Sequence, residues 1–291
     1  MATRVRDERW PERTMLVMAH PGHELRIWGW LERVRPGVLV VTDGSGRCAT
    51  PRIGTTERLL RSCGARPAGC FGVLRDRELY AHVLRGASDI FRQLADTLTR
   101  ELIRSRVECV VGDAAEGQIL AHDLVREVRR VAVRRAEAQL NRPIAHYEYS
   151  LDCHPTICPP LVSDQALRWQ LDAPQFARKL AAARGYAEMR ESVQHALTEH
   201  GESAFVHECL FPCTDSSLIE RDPEGWLGYE RHGAQQVARG VYREAVTYAE
   251  HVRPILSELD RSARSSASVP LPASTCDLLA THTRPVLTEV T

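Results

Sequence analysis

The sequence predicts an α/β fold, with a Rossmann-like, mostly parallel sheet and helices on both faces. Short apolar runs such as 14–19, 38–41 and 108–112 are typical of buried strands. Segments with apolar residues at helical spacing alternate with these runs, and loops follow the strands directly. Alternation of this kind favours a parallel sheet covered on both sides.

The first predicted unit runs from Thr14 to Arg47. The strand 14–19 ends where Pro21 and Gly22 break it, a helix covers 25–34, and Pro36-Gly37 ends that helix before the strand 38–41. About 35 residues suffice for such a βαβ unit.

The same patterns assign the rest of the chain. Helices are predicted over 57–63, 88–104, 122–138, most of 173–199, and 242–259 with an interruption near Pro254. Strands are predicted within 71–80 before Asp76, at 108–112 and at 146–149; 153–160 is a predicted loop and 202–211 is mixed.

Three segments make up the predicted domain organisation of the 291 residues. Residues 1–13 form a polar arm, 14–261 form one α/β domain, and 262–291 form a poorly ordered tail, because that end is rich in Ser, Ala and Pro and lacks periodicity.

Composition excludes several classes of function. Lys plus Arg and Asp plus Glu each number 38, so there is no basic surplus for a dedicated nucleic-acid partner. No apolar run approaches the roughly 18–20 residues that cross a bilayer, and the polar start lacks the apolar core of a signal peptide. We therefore expect a cytoplasmic protein that acts on a small molecule. Both a monomer and a homo-oligomer are compatible with these observations.

Histidines at predicted strand ends indicate a metal site. His20 and His23 lie on a tight turn after the first strand, and His122 begins the helix that follows the strand ending at Asp113. In parallel sheets, ligands bind beyond the carboxyl ends of the strands. Three nitrogen ligands with an open position are typical of catalytic zinc, and Glu24 is placed to orient an imidazole. The alternative is that these histidines cap helices or fill polar gaps.

The string Met18-Ala19-His20-Pro21-Gly22-His23-Glu24 resembles the AHPDDE motif of the LmbE-like (PIG-L) de-N-acetylase superfamily. Weaker motifs resemble that family in the same order along the chain: 41–44, 75–79, 109–123 and the helix 179–194. The resemblance covers about residues 14–210.

This resemblance implies a Rossmann-like fold and zinc-dependent hydrolysis of N-acetyl groups on sugars and related amines. It implies one zinc ion per chain, with His20 as the first ligand and His122 as the last. His23 stands where the family has an aspartate ligand, and histidine also binds zinc.

Two positions depart from the family pattern. Gly22 replaces the aspartate that serves as general base, and Ile119 stands where many members carry an oxyanion-stabilising histidine. The candidate replacements for the acid are Asp43, Asp113 and Glu24. For each of them, helix capping or a loop hydrogen bond is the alternative.

Three further residues are expected at the substrate: Arg47, Glu116 and His232. Surface salt bridging is the alternative for Arg47, and a loop before a helix is the alternative for His232.

The leading hypothesis is a divergent metal-dependent amidohydrolase that acts on a small polar N-acyl molecule, such as an amino sugar or a specialised metabolite. The alternatives are an enzyme of another reaction class on the same scaffold and a non-catalytic ligand-binding homologue.

Overall fold

A computed structural model describes residues 10–46, 50–215 and 218–265. Its centre is a seven-stranded sheet with the order β3-β2-β1-β4-β5-β7-β6. The strands are β1 Thr14–Met18, β2 Gly37–Thr42, β3 Arg66–Leu74, β4 Cys109–Asp113, β5 Ala145–Tyr149, β6 Leu167–Gln170 and β7 His207–Pro212. The first five are parallel, and β7 runs antiparallel to both β5 and β6. The predicted fold class is confirmed.

Nine α-helices lie in the described part of the chain. They are α1 Trp28–Val34, α2 Ile53–Ser62, α3 Asp76–Leu84, α4 Ser88–Arg104, α5 Leu120–Leu140, α6 Ala173–Gly185, α7 Arg190–His200, α8 Gly228–Ala238 and α9 Arg253–Ser265. Short 3-10 helices, including His23–Ile27, and a π-helical turn at Tyr248–Val252 complete the set. Within the described ranges, no helix has the length and apolarity that crossing a bilayer requires.

The alternation of side chains along β1 creates two cores. Met15 and Val17 belong to the cluster formed with α4, α5 and α9, whereas Leu16 and Met18 belong to the cluster formed with α1 and α2. Every residue of β1 is buried, because helices cover both faces of a parallel strand.

Most predicted elements are present, with differences at some boundaries. The helix 88–104 occurs as predicted, but the helix predicted over 242–259 begins only after Thr247, whose hydroxyl accepts a hydrogen bond from the Glu250 N–H. Pro254 is the second residue of α9 and follows directly after the π-helical turn Tyr248–Val252, so the helix changes its hydrogen-bonding pattern near Pro254, where the sequence predicts an interruption.

Two helices were missed: α3 and α8. Gly233 lowers the helix propensity of α8, yet a Cβ there would lie 3.1 Å from the Ala245 Cβ, so the close packing at this position favours glycine. At the C-terminal end, α9 continues through Ser265, and the rest of the predicted tail, with residues 1–9 of the predicted arm, lies outside the described residues.

The strand order places one crevice at the centre of the sheet. The connection from β1 leads to β2 on one side, while β4 pairs with β1 on the other side. Neighbouring strands whose connections diverge leave a cleft beyond their carboxyl ends. The segments after β1 and β4 therefore border this crevice, which is where folds of this class bind their ligands.

Candidate functional site

The three predicted histidines meet in this crevice. His20 and His23 lie on the turn after β1, where Gly22 has a φ of +103° that favours glycine, and His122 lies in the first turn of α5. Their exposures are 8%, 8% and 3%. The ring centroids are 5.3 Å apart for His20 and His23, 5.3 Å for His20 and His122, and 4.6 Å for His23 and His122.

His20 is held through its Nδ1 atom. That atom lies 2.6 Å from Thr42 Oγ1 and 3.1 Å from Asp76 Oδ1. The Thr42 hydroxyl itself donates to the Ala19 carbonyl, so the imidazole Nδ1–H must be the donor to Oγ1. The lone pair of His20 is therefore on Nε2.

His23 is held in the same way by Asp113. Its Nδ1–H donates to Asp113 Oδ2 at 2.9 Å, and the same carboxylate accepts from the Ala19 N–H at 2.6 Å and the Tyr149 hydroxyl at 2.9 Å. Although burial opposes ionisation, the imidazole of His23 holds the pKa of Asp113 below its usual range. Asp113 is fully buried and all its contacts are made, so it positions His23 and leaves no oxygen for substrate.

His122 differs from the other two histidines. Both of its ring nitrogens are buried without a hydrogen-bond partner, and its nearest carboxylate is Asp152, with Oδ2 lying 3.8 Å from Nδ1. Burial, and then the neighbouring rings of His23 and His20, lower the pKa of His122 well below its usual value. Burial also lowers the pKa of His23. Both are therefore neutral, which is the form that binds metals.

The donor set fits a zinc ion. Among the described residues, no three His, Cys, Asp or Glu side chains stand at the spacing of a formed metal site. Yet three imidazoles that bind zinc at about 2.1 Å have centroids roughly 5 Å apart, which matches the rings found here. Unpartnered buried nitrogens are rare in proteins because they lose their water without compensation. A metal ion would satisfy the orphaned nitrogen of His122.

Glu24 has a structural place rather than the expected catalytic one. Its side chain is fully buried and accepts hydrogen bonds from the Gly22 N–H at 2.8 Å and from the Thr56 hydroxyl at 2.7 Å. Burial raises its pKa. Glu24 holds the histidine turn against α2 and does not orient an imidazole directly.

Asp43 is not among the described residues that line the crevice. Asp43 accepts from the Ser45 N–H at 2.9 Å and from the Ser45 hydroxyl at 2.7 Å, so it has the loop role that was the alternative. Arg47, expected at the substrate, lies outside the described residues.

Glu116 holds the loop that follows β5, next to the histidines. It is 2% exposed and accepts the backbone N–H groups of Leu151, Asp152 and Cys153 at 2.7, 3.0 and 2.9 Å. It therefore shapes the loop after β5 instead of contacting substrate. Asp123 in turn accepts the N–H groups of Glu116 and Gly117.

Of three further positions that the sequence analysis singled out, Gly22 and Ile119 lie at the crevice and His232 does not. His232 is exposed on α8, with its ring 6.3 Å from that of Tyr242, and it does not line the crevice. A Cβ at Gly22 would lie 2.5 Å from the Met189 sulfur, so Met189 fills the space beside the histidine turn. Ile119 lines the crevice just before α5.

The crevice opens into a cavity of about 790 Å³, within the usual size of small-molecule sites. Its inner end carries the three histidines, Asp76 and Asp152. The rest of the lining is mixed. Its apolar residues are Leu25, Ile119, Leu151, Leu180, Ala183, Met189, Val193, Ala196, Leu197 and Phe205, and its charged or polar residues include Arg26, Arg52, Lys179, Ser192, His195, Glu199 and His200.

Asp76, Thr42 and Asp152 are the site residues that the sequence reasoning did not single out. Each of them ends a strand or follows one: Thr42 ends β2, Asp76 comes two residues after β3, and Asp152 comes three residues after β5. The strand-end rule that found the histidines would also have found Thr42 and Asp76, whereas Asp152 lies further along a loop whose path the sequence does not show.

Comparisons with known proteins relate the chain to solved deacetylases. No family model matches the sequence, and no curated protein matches it. A conserved protein from Thermus thermophilus, TT1542, is 17% identical over 70% of this chain and 95% of its own, with a TM-score of 0.46.

Two similar structures are deacetylases by their descriptions. The zinc-inhibited form of the teicoplanin deacetylase Orf2 is 12% identical over 70% of this chain and 100% of its own, with a TM-score of 0.44. The A40926 pseudoaglycone deacetylase Dbv21 is 15% identical over 69% of this chain and 96% of its own, with a TM-score of 0.41. At these values the likeness concerns the fold, and it assigns this chain no substrate, metal or activity.

Proposed function

We propose that this chain is a zinc-dependent amidohydrolase that cleaves an N-acyl bond. The observation that carries the proposal is the set of three imidazoles in the central crevice. Two of them have the Nδ1–H fixed, that of His20 by Thr42 beside Asp76 and that of His23 by Asp113, and the third has two buried nitrogens without partners. Carboxylates that fix ligand histidines in this way are typical of zinc sites.

In this proposal, the histidines bind the metal and the polar groups behind them hold the rings in place. His20, His23 and His122 would hold the metal through one nitrogen each, and Thr42 and Asp113 keep the rings of His20 and His23 in the binding tautomer. When bound, zinc supplies Lewis acidity toward an amide carbonyl and toward water. The buried carboxylates behind the rings also favour a cation at this place.

The outer wall of the cavity indicates the character of the substrate. Val193, Ala196 and Leu197 line the cavity from α7, a helix that has no buried residue. Partly exposed apolar side chains that line a cavity beside polar groups favour binding of the apolar part of a ligand, because binding removes their surface from water. We therefore infer an N-acyl compound with an apolar portion, rather than the wholly polar molecule expected from the sequence.

Elemental analysis of protein purified without added metal tests the proposal. Wild type should carry near one zinc per chain, and His20→Ala and His122→Ala should lose it. A folded wild type that neither holds zinc nor takes it up would contradict the proposal.

A non-catalytic, ligand-binding homologue is the second candidate. Met189 fills the space at Gly22, where the resembling family carries its base, and Asp113, Glu24 and Asp43 are all engaged elsewhere. A turnover screen that compares N-acyl compounds with their free amines separates the candidates. Zinc binding without turnover of any N-acyl compound would favour the second candidate or another reaction class.

A further inference from the structure

The loop after β5 is fixed from two sides. On one side, Glu116 accepts the N–H groups of Leu151, Asp152 and Cys153. On the other side, the guanidinium of Arg26 donates to the carbonyls of Ser150, at 2.9 Å, and Cys153. A loop with this many buried backbone bonds has little freedom, so the side chain of Asp152 is presented at a defined place.

The side chain of Asp152 itself makes no hydrogen bond in the described structure. Its Oδ2 atom is buried without a partner, and it faces His122 Nδ1, which is also buried without a partner, at 3.8 Å. An N–H···O hydrogen bond is about 2.7–3.2 Å long, so a movement of roughly 1 Å would join the two atoms. The main chain of Asp152 is held meanwhile by Glu116 and by His200 Nε2–H, which donates to its carbonyl at 3.2 Å.

In the other two histidines, a carboxylate oxygen lies at a shorter distance from Nδ1 than Asp152 does from His122. Asp76 lies 3.1 Å from His20 Nδ1, and Asp113 lies 2.9 Å from His23 Nδ1. In each case a carboxylate lies beside Nδ1, which carries the ring proton, so the lone pair is on Nε2. His122 and Asp152 repeat the pairing with the same two atom types, at a longer distance.

We propose that Asp152 is the positioning residue of His122, and that the two close into a hydrogen bond when the three histidines bind zinc. The Nδ1–H of His122 donates to Asp152 Oδ2, which directs Nε2 to the metal. This role rests on the proposed function, because it needs a cation at the centre of the rings. Glu116 and Arg26 contribute by holding the loop in place.

Zinc affinity tests the role, measured by competition with a chromophoric chelator. Asp152→Ala should bind zinc 10–100-fold more weakly than wild type, the usual loss when such a partner of a ligand histidine is removed. Asp152→Asn keeps an acceptor oxygen and should recover part of the affinity. Asp164→Ala removes an exposed aspartate from the same region and should bind as wild type does.

Nitrogen-15 NMR of the zinc-loaded protein gives a second readout that does not depend on activity. In wild type, His122 should carry its proton on Nδ1 and bind zinc through Nε2. In Asp152→Ala this tautomer should no longer be the single form. The side chain of Asp152 makes no hydrogen bond, so both variants should fold as wild type does.

The outcomes separate this role from the proposed function. A wild type that binds no zinc would overturn the proposed function and the positioning role together. A wild type that binds zinc, with Asp152→Ala binding it equally tightly, would overturn the positioning role alone. Unchanged affinity with a lost turnover rate would also overturn it, because Asp152 would then act on the reacting atoms.

Discussion

The two walls of the cavity are built in opposite ways. Behind the inner wall, which carries the three histidines, lie buried polar groups such as Asp113 and Glu24, whose oxygens accept hydrogen bonds from neighbouring groups. The outer wall on α7 has no buried residue, and it lines the cavity with the apolar side chains of Val193, Ala196 and Leu197 beside the polar ones of Ser192, His195, Glu199 and His200. The inner wall thus fixes a geometry, whereas the outer wall offers an apolar surface that a ligand can cover. Substitutions in the inner wall should therefore affect folding, and substitutions in the outer wall should affect only binding.

The largest effect is expected at Asp113. Asp113→Ala removes the partner of His23 and leaves the Ala19 N–H and the Tyr149 hydroxyl buried without acceptors. The free energy of unfolding should fall by about 3–5 kcal/mol, as for other broken buried pairs. Urea denaturation measures it, with the exposed Asp164→Ala as the control. A loss under about 1 kcal/mol, the size of an ordinary surface effect, would show that the inner wall is not the rigid part of the site.

Gly22 should be the next most sensitive position. Gly22→Ala introduces a Cβ at a φ of +103° and only 2.5 Å from the Met189 sulfur, so stability should fall by about 1–3 kcal/mol. Gly22→Ala combined with Met189→Ala should recover part of this loss, because the contact is relieved and the backbone strain stays. Full recovery in the double variant would mean that the backbone at residue 22 carries no strain.

The polar network behind Asp113 predicts a pH dependence. Burial, and then the charges of Arg129 and Arg126, lower the pKa of His146 well below its usual value. Below about pH 6.5 the unfolded chain therefore binds a proton that the folded chain does not, and this residue costs about 1.4 kcal/mol of stability for each further pH unit. His146→Gln keeps an acceptor for Arg129 and should flatten the decline between about pH 6.5 and 5. An identical decline in the variant would exclude His146 as its source.

The smallest effect is expected on the outer wall. Val193→Glu puts a charge on the cavity side of α7, whereas Gln194→Glu puts the same charge on an exposed side chain outside the cavity lining. If an acyl chain lies on this wall, each buried methylene raises kcat/KM about fourfold, and Val193→Glu should lower the preference for an octanoyl over an acetyl amine several-fold. Matched kinetics on the two substrates measure this. Equal preference in both variants would place the apolar part of the substrate elsewhere.

The sequence allowed the fold class and the three histidines to be predicted, because both follow from strand ends. Apolar runs mark the strands, and the residue after each strand is read directly from the chain. The roles of Glu24, Asp43 and Glu116 were not predictable in this way. A sequence shows that a carboxylate is near the crevice, but it does not show that the Gly22 N–H, the Ser45 hydroxyl or the loop N–H groups already occupy its oxygens.

The helix α8 and the position of Asp152 were not predicted either, because both depend on contacts between residues that are distant in the sequence. The helix α8 contains a glycine favoured by packing against Ala245, so its propensity was misleading. Asp152 lies three residues past β5 and reaches His122 only because Glu116 and Arg26 fold the loop back. Tertiary contacts of this kind leave no local pattern in the chain.

The measurement that tests the account most directly is equilibrium unfolding with and without zinc, for wild type and His122→Leu. Without metal, the variant should be at least as stable, because it removes two buried nitrogens that have no partner. With free zinc at about one thousand times Kd, wild type should gain about 4 kcal/mol and the variant little. A wild type that zinc does not stabilise, or a variant that gains as much as wild type, would contradict a zinc site at the three histidines.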